Sequence, residues 1–126
     1  MHKLFVVTRG DLPPGAIAAQ SVHAGFAFAH EHQFEWRTWL LSSNNIVLLS
    51  VPDEQALLDL ARRVEAAGVS LSLFREPDFD NTLTAIGIGP AGWKLVSSLP
   101  KALRPPKSQL HNLTGAEHVQ ERVSVP

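Results

Sequence analysis

Apolar and polar residues along this chain follow two spacings, and these spacings predict where strands and helices lie. Four short apolar or β-branched runs, each six or seven residues long, are typical of strands. They lie at residues 3–8, 46–51, 69–74 and 82–88. The second run is apolar apart from Ser50, which predicts a strand that is buried on both faces of a sheet.

Between and after these runs, apolar residues recur at the spacing of an α-helix along much of the chain. An Ala-rich segment after Pro13-Pro14-Gly15 predicts a helix from Ala16 to about His30, because proline suits the start of a helix. Further helices are predicted at residues 34–42, 53–68 and 91–99. The resulting order, β-α-α-β-α-β-β-α, predicts an α/β fold with helices on both faces of a mixed sheet.

The composition fits one globular domain. The chain has 126 residues, of which 44% are apolar and 18% charged, so it is long enough to bury a core. We expect that domain over residues 1–104 and a C-terminal extension over 105–126. The absence of cysteine excludes disulfides and thiolate metal sites. No segment approaches the roughly 18 apolar residues of a membrane span, so no membrane partner is expected.

The net charge of −1 conceals an uneven distribution of charged side chains. Residues 1–80 carry six Lys and Arg against ten Asp and Glu, whereas residues 81–116 carry no acid. The basic side chains of that second region are Lys94, Lys101, Arg104 and Lys107. Such a stretch holds a few phosphates or forms a solvated face, and a broad nucleic-acid groove is disfavoured.

The spacing of histidines and glycines gives no reason to expect a metal or a cofactor. His30 and His32 lie two apart, so on a helix they point in different directions and form a surface pair. The segment 87–92 matches the pattern G-x-G-x-x-G. It lacks the following strand and the acidic residue that dinucleotide binding requires, which favours a tight strand-to-helix turn.

Candidate chemistry gathers where the first strand ends and the first helix begins. Gln20 and His23 are spaced i and i+3 and share one face of that helix, while Arg9 and Asp11 end the strand. Backbone N–H groups at a helix start hold anions or an oxyanion. Here they belong to Gly15, Ala16 and Ile17. On these residues alone, a functional site and a half-buried histidine beside a surface ion pair are equal alternatives.

Three segments, in order, resemble the type 2 peptidyl-tRNA hydrolases. They read VVTRGDL, AIAAQSVHAG and LTAIGIGP. The shorter motifs DLPPG, FREPD and LPKAL bring the chain nearest to a divergent bacterial and phage branch of that family. The resemblance covers about residues 3–103 with matching order and spacing. It implies a small three-layer α/β/α sandwich with a four-stranded mixed sheet.

The same resemblance implies metal-free hydrolysis of the ester that joins a peptide to the 3′ end of tRNA. Carried over residue by residue, the family's site falls on Arg9, Asp11, Gln20, His23 and Thr84. Two segments depart from the family. Its lysine-containing G-K-G-K helix start is replaced by Pro13-Pro14-Gly15-Ala16, and its Asp-Ala-Gly segment by Glu76-Pro77-Asp78.

Ester hydrolysis needs an activated water, a stabilised oxyanion and a held substrate. We expect His23, or a carboxylate of Glu76 or Asp78, to position the water. Gln20 and the amides at the helix start would stabilise the oxyanion, and Thr84 would orient substrate or water. The terminal phosphates would meet Arg9 and one or more of Lys94, Lys101 and Arg104. The expected partner is the 3′ end of peptidyl-tRNA, in the cytoplasm.

Two other functions remain open on the sequence. One is a non-catalytic RNA- or protein-binding module on the same fold, favoured by the missing lysines and the near-neutral charge. The other is a hydrolase or transferase for a different acyl substrate, favoured by the altered segment 76–78. Phe34, Trp36 and Trp39 give the second helix a large apolar surface, which indicates core packing or, with one side exposed, a homodimer contact.

Overall fold

The computed structural model describes residues 2–104, which form four strands and four helices. The strands are β1 (Lys3–Arg9), β2 (Asn45–Val51), β3 (Leu71–Glu76) and β4 (Thr82–Ile88). The helices are α1 (Pro14–Glu31), α2 (Gln33–Leu41), α3 (Glu54–Ala66) and α4 (Trp93–Val96). The predicted order of elements is confirmed, and the predicted extension over 105–126 lies outside the described residues.

The four strands form one mixed sheet in the order β2-β1-β4-β3. Strand β1 runs parallel to β2 and antiparallel to β4, and β4 runs antiparallel to β3. Helix α1 packs on one face of the sheet and α3 on the other, which confirms the predicted α/β fold. Because β1 and β3 end where β4 begins, Arg9, Glu76 and Thr82 lie at the same end of the sheet.

Each face of the sheet has its own apolar core. On the α3 face, Leu57, Leu60 and Val64 pack against strand residues that include Val7 and Ile86. The helix residues recur at i, i+3 and i+7, which turns one stripe of α3 toward the sheet. This stripe is the apolar pattern on which the prediction of α3 rests.

On the opposite face, α1 approaches β4 closely because β4 carries a glycine at the crossing point. A Cβ atom on Gly87 would lie 3.2 Å from the Cβ of Phe28 and 3.3 Å from the carbonyl oxygen of Ala24. Any larger residue would push the helix away from the sheet. The glycine-rich segment thus serves close helix–sheet packing.

Strand β3 begins two residues later than predicted and extends to Glu76. The N–H of Val69 donates to the carbonyl of Val64 at 3.2 Å and closes the turn after α3. At the other end, Arg75 and Glu76 pair with β4 in spite of their charge. Backbone pairing with a neighbouring strand outweighs side-chain polarity at an exposed sheet edge. The carboxylate of Glu76 is therefore held by the sheet and not by a loop.

The predicted helix over 91–99 is wrong in length. Residues Pro90–Gly92 form one 3₁₀ turn, and α4 covers only four residues. The chain then leaves the helix and pairs with the outer edge of β2, where Ser50 N–H donates to the Pro100 carbonyl at 2.9 Å. An edge strand has unpaired backbone groups, and this segment supplies their partners.

The junction of α1 and α2 bears on two expectations, one about aromatic residues and one about histidines. Trp39 is buried and its indole Nε1 donates to the Asn45 carbonyl at 2.5 Å, whereas Phe34 is 82% exposed. Of the two alternatives for the aromatic residues of α2, Trp39 takes core packing, and Phe34 leaves one side of the helix exposed. The expected surface pair of histidines is wrong. His30 is exposed, but His32 is half-buried with Nε2 2.9 Å from the Leu71 carbonyl oxygen.

Candidate functional site

Helix α1 presents a polar side chain to the sheet in the middle of its apolar stripe. Its buried residues are Ile17, Gln20, Ala24 and Phe28, which share one face of the helix. Gln20 is only 4% exposed. A buried amide costs free energy unless it is hydrogen-bonded, so its partners define the site.

Those partners come from β3 and β4, and with Gln20 they form what we name the Gln20 network: Gln20, Glu76 and Thr84. The Gln20 Nε2 donates to Glu76 Oε1 at 3.2 Å. The buried Thr84 hydroxyl lies 3.0 Å from Gln20 Oε1, to which it donates, and 3.3 Å from the Phe74 carbonyl oxygen. Both ends of the Gln20 amide are thereby satisfied, which fixes the orientation of the side chain.

An irregularity in β4 points Thr84 at the network. Phe74 pairs with Ala85 and Arg75 pairs with Leu83, so Thr84 is an extra residue between two paired positions. Such a bulge changes the alternation of side chains and redirects one of them. As a result, Thr84 and Ala85 both lie on the face that α1 covers.

His23 lies beside this network but does not join it. Its ring stacks on the ring of Phe74, with centroids 4.4 Å apart and planes inclined by 12°. The side chain is exposed, and within residues 2–104 its ring nitrogens have no hydrogen-bond partner. The shared face predicted for Gln20 and His23 therefore splits into a buried amide and an exposed ring.

Arg9 and Asp11 form a second group of polar side chains, which we name the Arg9 pair. Arg9 Nε and Nη2 donate to the two carboxylate oxygens of Asp11 at 3.0 and 2.9 Å. Arg9 Nη1 lies within hydrogen-bond distance of the Thr82 hydroxyl, at 3.2 Å, and of the Leu83 carbonyl, at 3.4 Å. Four of the five N–H groups of the guanidinium thus have acceptors in the protein.

The charges in the Arg9 pair stabilise each other. The hydrogen bond to Asp11 raises the pKa of Arg9, and the charges of Glu54 and Asp53 at the start of α3 add to this effect. The hydrogen bond from Arg9 lowers the pKa of Asp11. Glu54 also accepts the N–H of Leu83 at 2.8 Å. The pair therefore faces α3, while the Gln20 network faces α1.

The start of α1 offers two of the three predicted amide donors. Ile17 N–H donates to the Pro13 carbonyl at 2.9 Å, so it belongs to the helix and is not available to a ligand. Gly15 and Ala16 occupy the second and third helical positions, whose N–H groups have no carbonyl four residues earlier within the helix. They lie about 6–8 Å along the helix axis from Gln20.

The structure separates Glu76 from Asp78, which the sequence left as alternatives. Glu76 ends β3 and accepts from Gln20. Asp78 lies in the 3₁₀ turn Pro77–Phe79 and is exposed. Within residues 2–104 its side chain has no partner that would hold it toward the Gln20 network.

The predicted lysines lie away from both groups. Lys101 bridges to Leu49 on the outer edge of β2, about 14 Å from β4 across the sheet. The Lys94 ammonium lies 5.4 Å above the Trp93 ring. Lys101 and Trp93 line a cavity of about 610 Å³ with Lys3, at the opposite end of β1 from Arg9. Arg104 is exposed beyond this segment. The structure therefore does not bring Lys94 and Lys101 together with Arg9, and a phosphate contact of these lysines stays a prediction.

Phe74, Thr82 and Glu54 are the parts of the site that sequence reasoning missed. Phe74 supports the His23 ring, and the other two hold the beginning of β4. Their only signal in the sequence is a place at the end of a predicted strand or at the start of a helix. Within residues 2–104, no three His, Cys, Asp or Glu side chains gather as metal ligands.

No helix in the described part of the chain combines the length and apolarity that a membrane span requires.

Comparison with known proteins gives a consistent family. A sequence profile described as Peptidyl-tRNA hydrolase PTH2 matches residues 2–105. The Peptidyl-tRNA hydrolase of Methanococcus maripaludis strain C7 is 32% identical over 114 residues, which cover 82% of this chain and 98% of that relative.

Two further relatives agree with this match. The Peptidyl-tRNA hydrolase of Methanothermobacter thermautotrophicus is 35% identical over 95 residues, which cover 70% of this chain and 85% of the relative. The bovine Peptidyl-tRNA hydrolase 2, mitochondrial, is 26% identical, over 82% of this chain and 63% of the relative. These relatives are archaeal and bovine, so they support the family and not the bacterial and phage branch. The chain belongs to the peptidyl-tRNA hydrolase PTH2 family.

Proposed function

We propose that this protein is an enzyme that hydrolyses the ester between a peptide and the 3′ end of tRNA, and that the Gln20 network is its reactive centre. The supporting observation is the contact of Gln20 with Glu76 and Thr84 at the end of the sheet where α1 begins. Relatives over most of this chain carry the name peptidyl-tRNA hydrolase. In α/β sheets, ligands commonly bind at such strand ends.

In this proposal, Glu76 is the general base. Its Oε1 accepts from Gln20, which leaves Oε2 to accept a proton from water. The water oxygen forms a bond to the ester carbon, and the carbonyl becomes an oxyanion. When the oxyanion collapses, the bond to the ribose oxygen breaks, and the protonated Glu76 returns its proton to that oxygen. Peptide acid and tRNA are the products, and the carboxylate is restored.

Gln20 and the helix start stabilise the charge that develops on the ester oxygen. The Gln20 Nε2 has a second hydrogen beyond the one donated to Glu76, and Gly15 and Ala16 contribute backbone N–H groups. Thr84 holds Gln20 in the required orientation through its hydroxyl hydrogen. The remaining N–H of Arg9 binds a phosphate near the ester, and Asp11 positions that guanidinium.

Turnover of a defined peptidyl-tRNA by the purified protein tests the proposal. We expect release of free tRNA at a rate above background that Glu76→Gln abolishes and His30→Ala leaves unchanged. Binding without turnover, with affinity that falls steeply with salt, would instead indicate an RNA-binding module. Equal cleavage of a simple acyl ester without the tRNA body would indicate a hydrolase for a different substrate.

We also propose a branch of the family, a cellular compartment and an oligomeric state for this protein. The motifs DLPPG, FREPD and LPKAL favour a bacterial and phage branch of the family. The substrate, which forms during translation, favours the cytoplasm.

Phe26 and Phe34, which are 70% and 82% exposed, favour a homodimer contact on the outer side of α1 and α2. Sedimentation of the wild type and of Phe34→Glu tests the dimer, since an unchanged mass for both would contradict it.

A further inference from the structure

The stacked pair of His23 and Phe74 has no task in the ester chemistry proposed above. The rings are 4.4 Å apart and inclined by only 12°, so they lie almost flat on each other. Phe74 is half-buried and packs against the core under α1, which makes it a rigid support. His23 is exposed, and since Phe74 covers one face of its ring, the other face is turned to solvent.

The neighbours of His23 on the helix surface are two small residues and one aromatic residue. Ala19 lies four residues before it and Ala27 four residues after it, while Phe26, three residues after it, is 70% exposed. Within residues 2–104 no acceptor or donor binds the His23 ring nitrogens. An exposed flat ring that is supported from below suits the stacking of another flat ring.

The stacked pair of His23 and Phe74 is connected to the reactive centre through Phe74. The carbonyl oxygen of Phe74 lies 3.3 Å from the Thr84 hydroxyl, and Glu76 follows Phe74 by two residues in the same strand. Gln20 lies one turn before His23 on the same helix. A base on the His23 ring would therefore hold its ribose, and the ester on that ribose, beside Glu76 and Gln20.

We propose that the His23–Phe74 pair is the stacking platform for the base of the terminal nucleotide of the substrate. The inference rests on the proposed function, and it replaces a role for His23 in water activation by a role in holding the nucleotide. A platform requires an aromatic ring but no ring nitrogen. Base stacking on an aromatic side chain changes affinity by about 5- to 150-fold when the ring is removed.

Binding of a short single-stranded RNA that ends in 2-aminopurine tests the platform without any need for turnover. Stacking quenches the fluorescence of this base. We expect the wild type and His23→Phe to quench it, and His23→Ala to lose the quenching and bind about 5- to 150-fold more weakly. His30→Ala, which removes an exposed histidine from the same helix, is the matched control and should behave as wild type. Equal quenching by His23→Ala and wild type would overturn the inference.

Kinetics with peptidyl-tRNA separate the platform from a histidine base. We expect His23→Ala to raise KM with little change in kcat, and His23→Phe to keep both values and the pH profile of the wild type. A loss of kcat in His23→Phe as large as in His23→Ala would show that a ring nitrogen is needed. If the wild type shows no turnover but the quenching pattern holds, the proposed function fails and the platform stands. Circular dichroism verifies that each variant is folded.

Discussion

The Gln20 network and the Arg9 pair lie at the same end of the sheet, yet their carboxylates accept hydrogen bonds from different kinds of donor. In the Arg9 pair, both oxygens of Asp11 accept from one guanidinium. In the Gln20 network, Glu76 accepts through one oxygen from a neutral amide, and its charge has no cationic partner among residues 2–104. Both oxygens of Asp11 already accept hydrogen bonds from Arg9. Glu76 accepts from Gln20 through Oε1, which leaves Oε2 for a proton from water.

Polar residues at a strand end differ in how much hydrogen-bonding capacity they keep for a substrate. The Arg9 pair connects β1 to the beginning of β4 through hydrogen bonds within the protein, which leave one N–H of Arg9 for the proposed phosphate contact. A buried amide that ends on a half-exposed carboxylate positions a reactive group and leaves it accessible. The proposed general base therefore lies on the α1 face of the sheet, and the proposed phosphate contact belongs to an ion pair that faces α3.

The largest expected effect is at Glu76, where the comparison predicts a base that cannot be replaced by an amide. Glu76→Gln keeps the shape and an oxygen for Gln20 but cannot take a proton, so kcat/KM should fall by about 10²- to 10⁴-fold. Asp78→Asn is the matched control, since that carboxylate is exposed two residues later. Steady-state hydrolysis of peptidyl-tRNA measures both. A greater loss in Asp78→Asn than in Glu76→Gln would assign the base to the wrong carboxylate.

A smaller effect is expected when the centre of the Gln20 network is removed. Gln20→Leu leaves Glu76 without its amide donor and Thr84 with only the Phe74 carbonyl, so about 1–3 kcal/mol of unfolding free energy should be lost. Loss of the oriented carboxylate should also lower kcat/KM by about 10- to 100-fold. Urea unfolding and hydrolysis assays measure the two effects.

The control for that variant is Gln55→Leu, because Gln55 is exposed and, within residues 2–104, its side chain bonds only to Asp59 on the surface of α3. It should change stability by less than about 0.5 kcal/mol. Equal destabilisation by the two substitutions would mean that the buried amide contributes no more than a surface one, and the Gln20 network would lose its structural basis.

The smallest effect belongs to the Arg9 pair and appears as a pH dependence. Because the hydrogen bond from Arg9 lowers the pKa of Asp11, this contact stabilises the fold at pH values above the ordinary carboxylate pKa of about 4. The stabilisation is lost as pH falls through the lower folded value. The Asp11 side chain is 40% exposed, so the contribution should stay below about 1 kcal/mol.

Urea unfolding of wild type and Asp11→Asn at pH 7 and at pH 3 measures this dependence. The stability difference between them should be present at pH 7 and smaller at pH 3. Asp59→Asn breaks the exposed pair with Arg62 and is the comparison for a purely superficial contact. A difference that grows toward low pH would contradict the direction of the Asp11 shift.

Much of the fold follows from local patterns in the sequence. The apolar stripe of α3, its cap at Asp53 and the runs of β1 and β4 each agree with what tertiary packing requires. The run of β2 does form a strand, but the expectation that it is buried on both faces is wrong, because β2 lies at the edge of the sheet and Ile46 is 58% exposed. The errors occur where a partner overrides a local preference. Arg75 and Glu76 join β3 because β4 pairs with them, and the chain after α4 straightens because the edge of β2 needs partners.

The candidate site was predicted in part, and the missing part is a matter of distance along the chain. Spacing placed Gln20 and His23 on one helix, and resemblance added Thr84, but neither states which side chains meet. Glu76 is 56 residues from Gln20, and Lys101 pairs with β2 and not with the site. Only packing of α1 on the sheet decides such contacts.

The sequence by itself determined the family, the order of elements and the polar residues at the end of β1 and the start of α1. These properties depend on residue type and local spacing, which the chain carries directly. Packing of α1 on the sheet was needed to decide that Gln20 is buried against Glu76 and Thr84 and that His23 lies flat on Phe74. Those contacts depend on a bulge in β4 and on the approach of α1 to Gly87, which bring distant residues within hydrogen-bond distance.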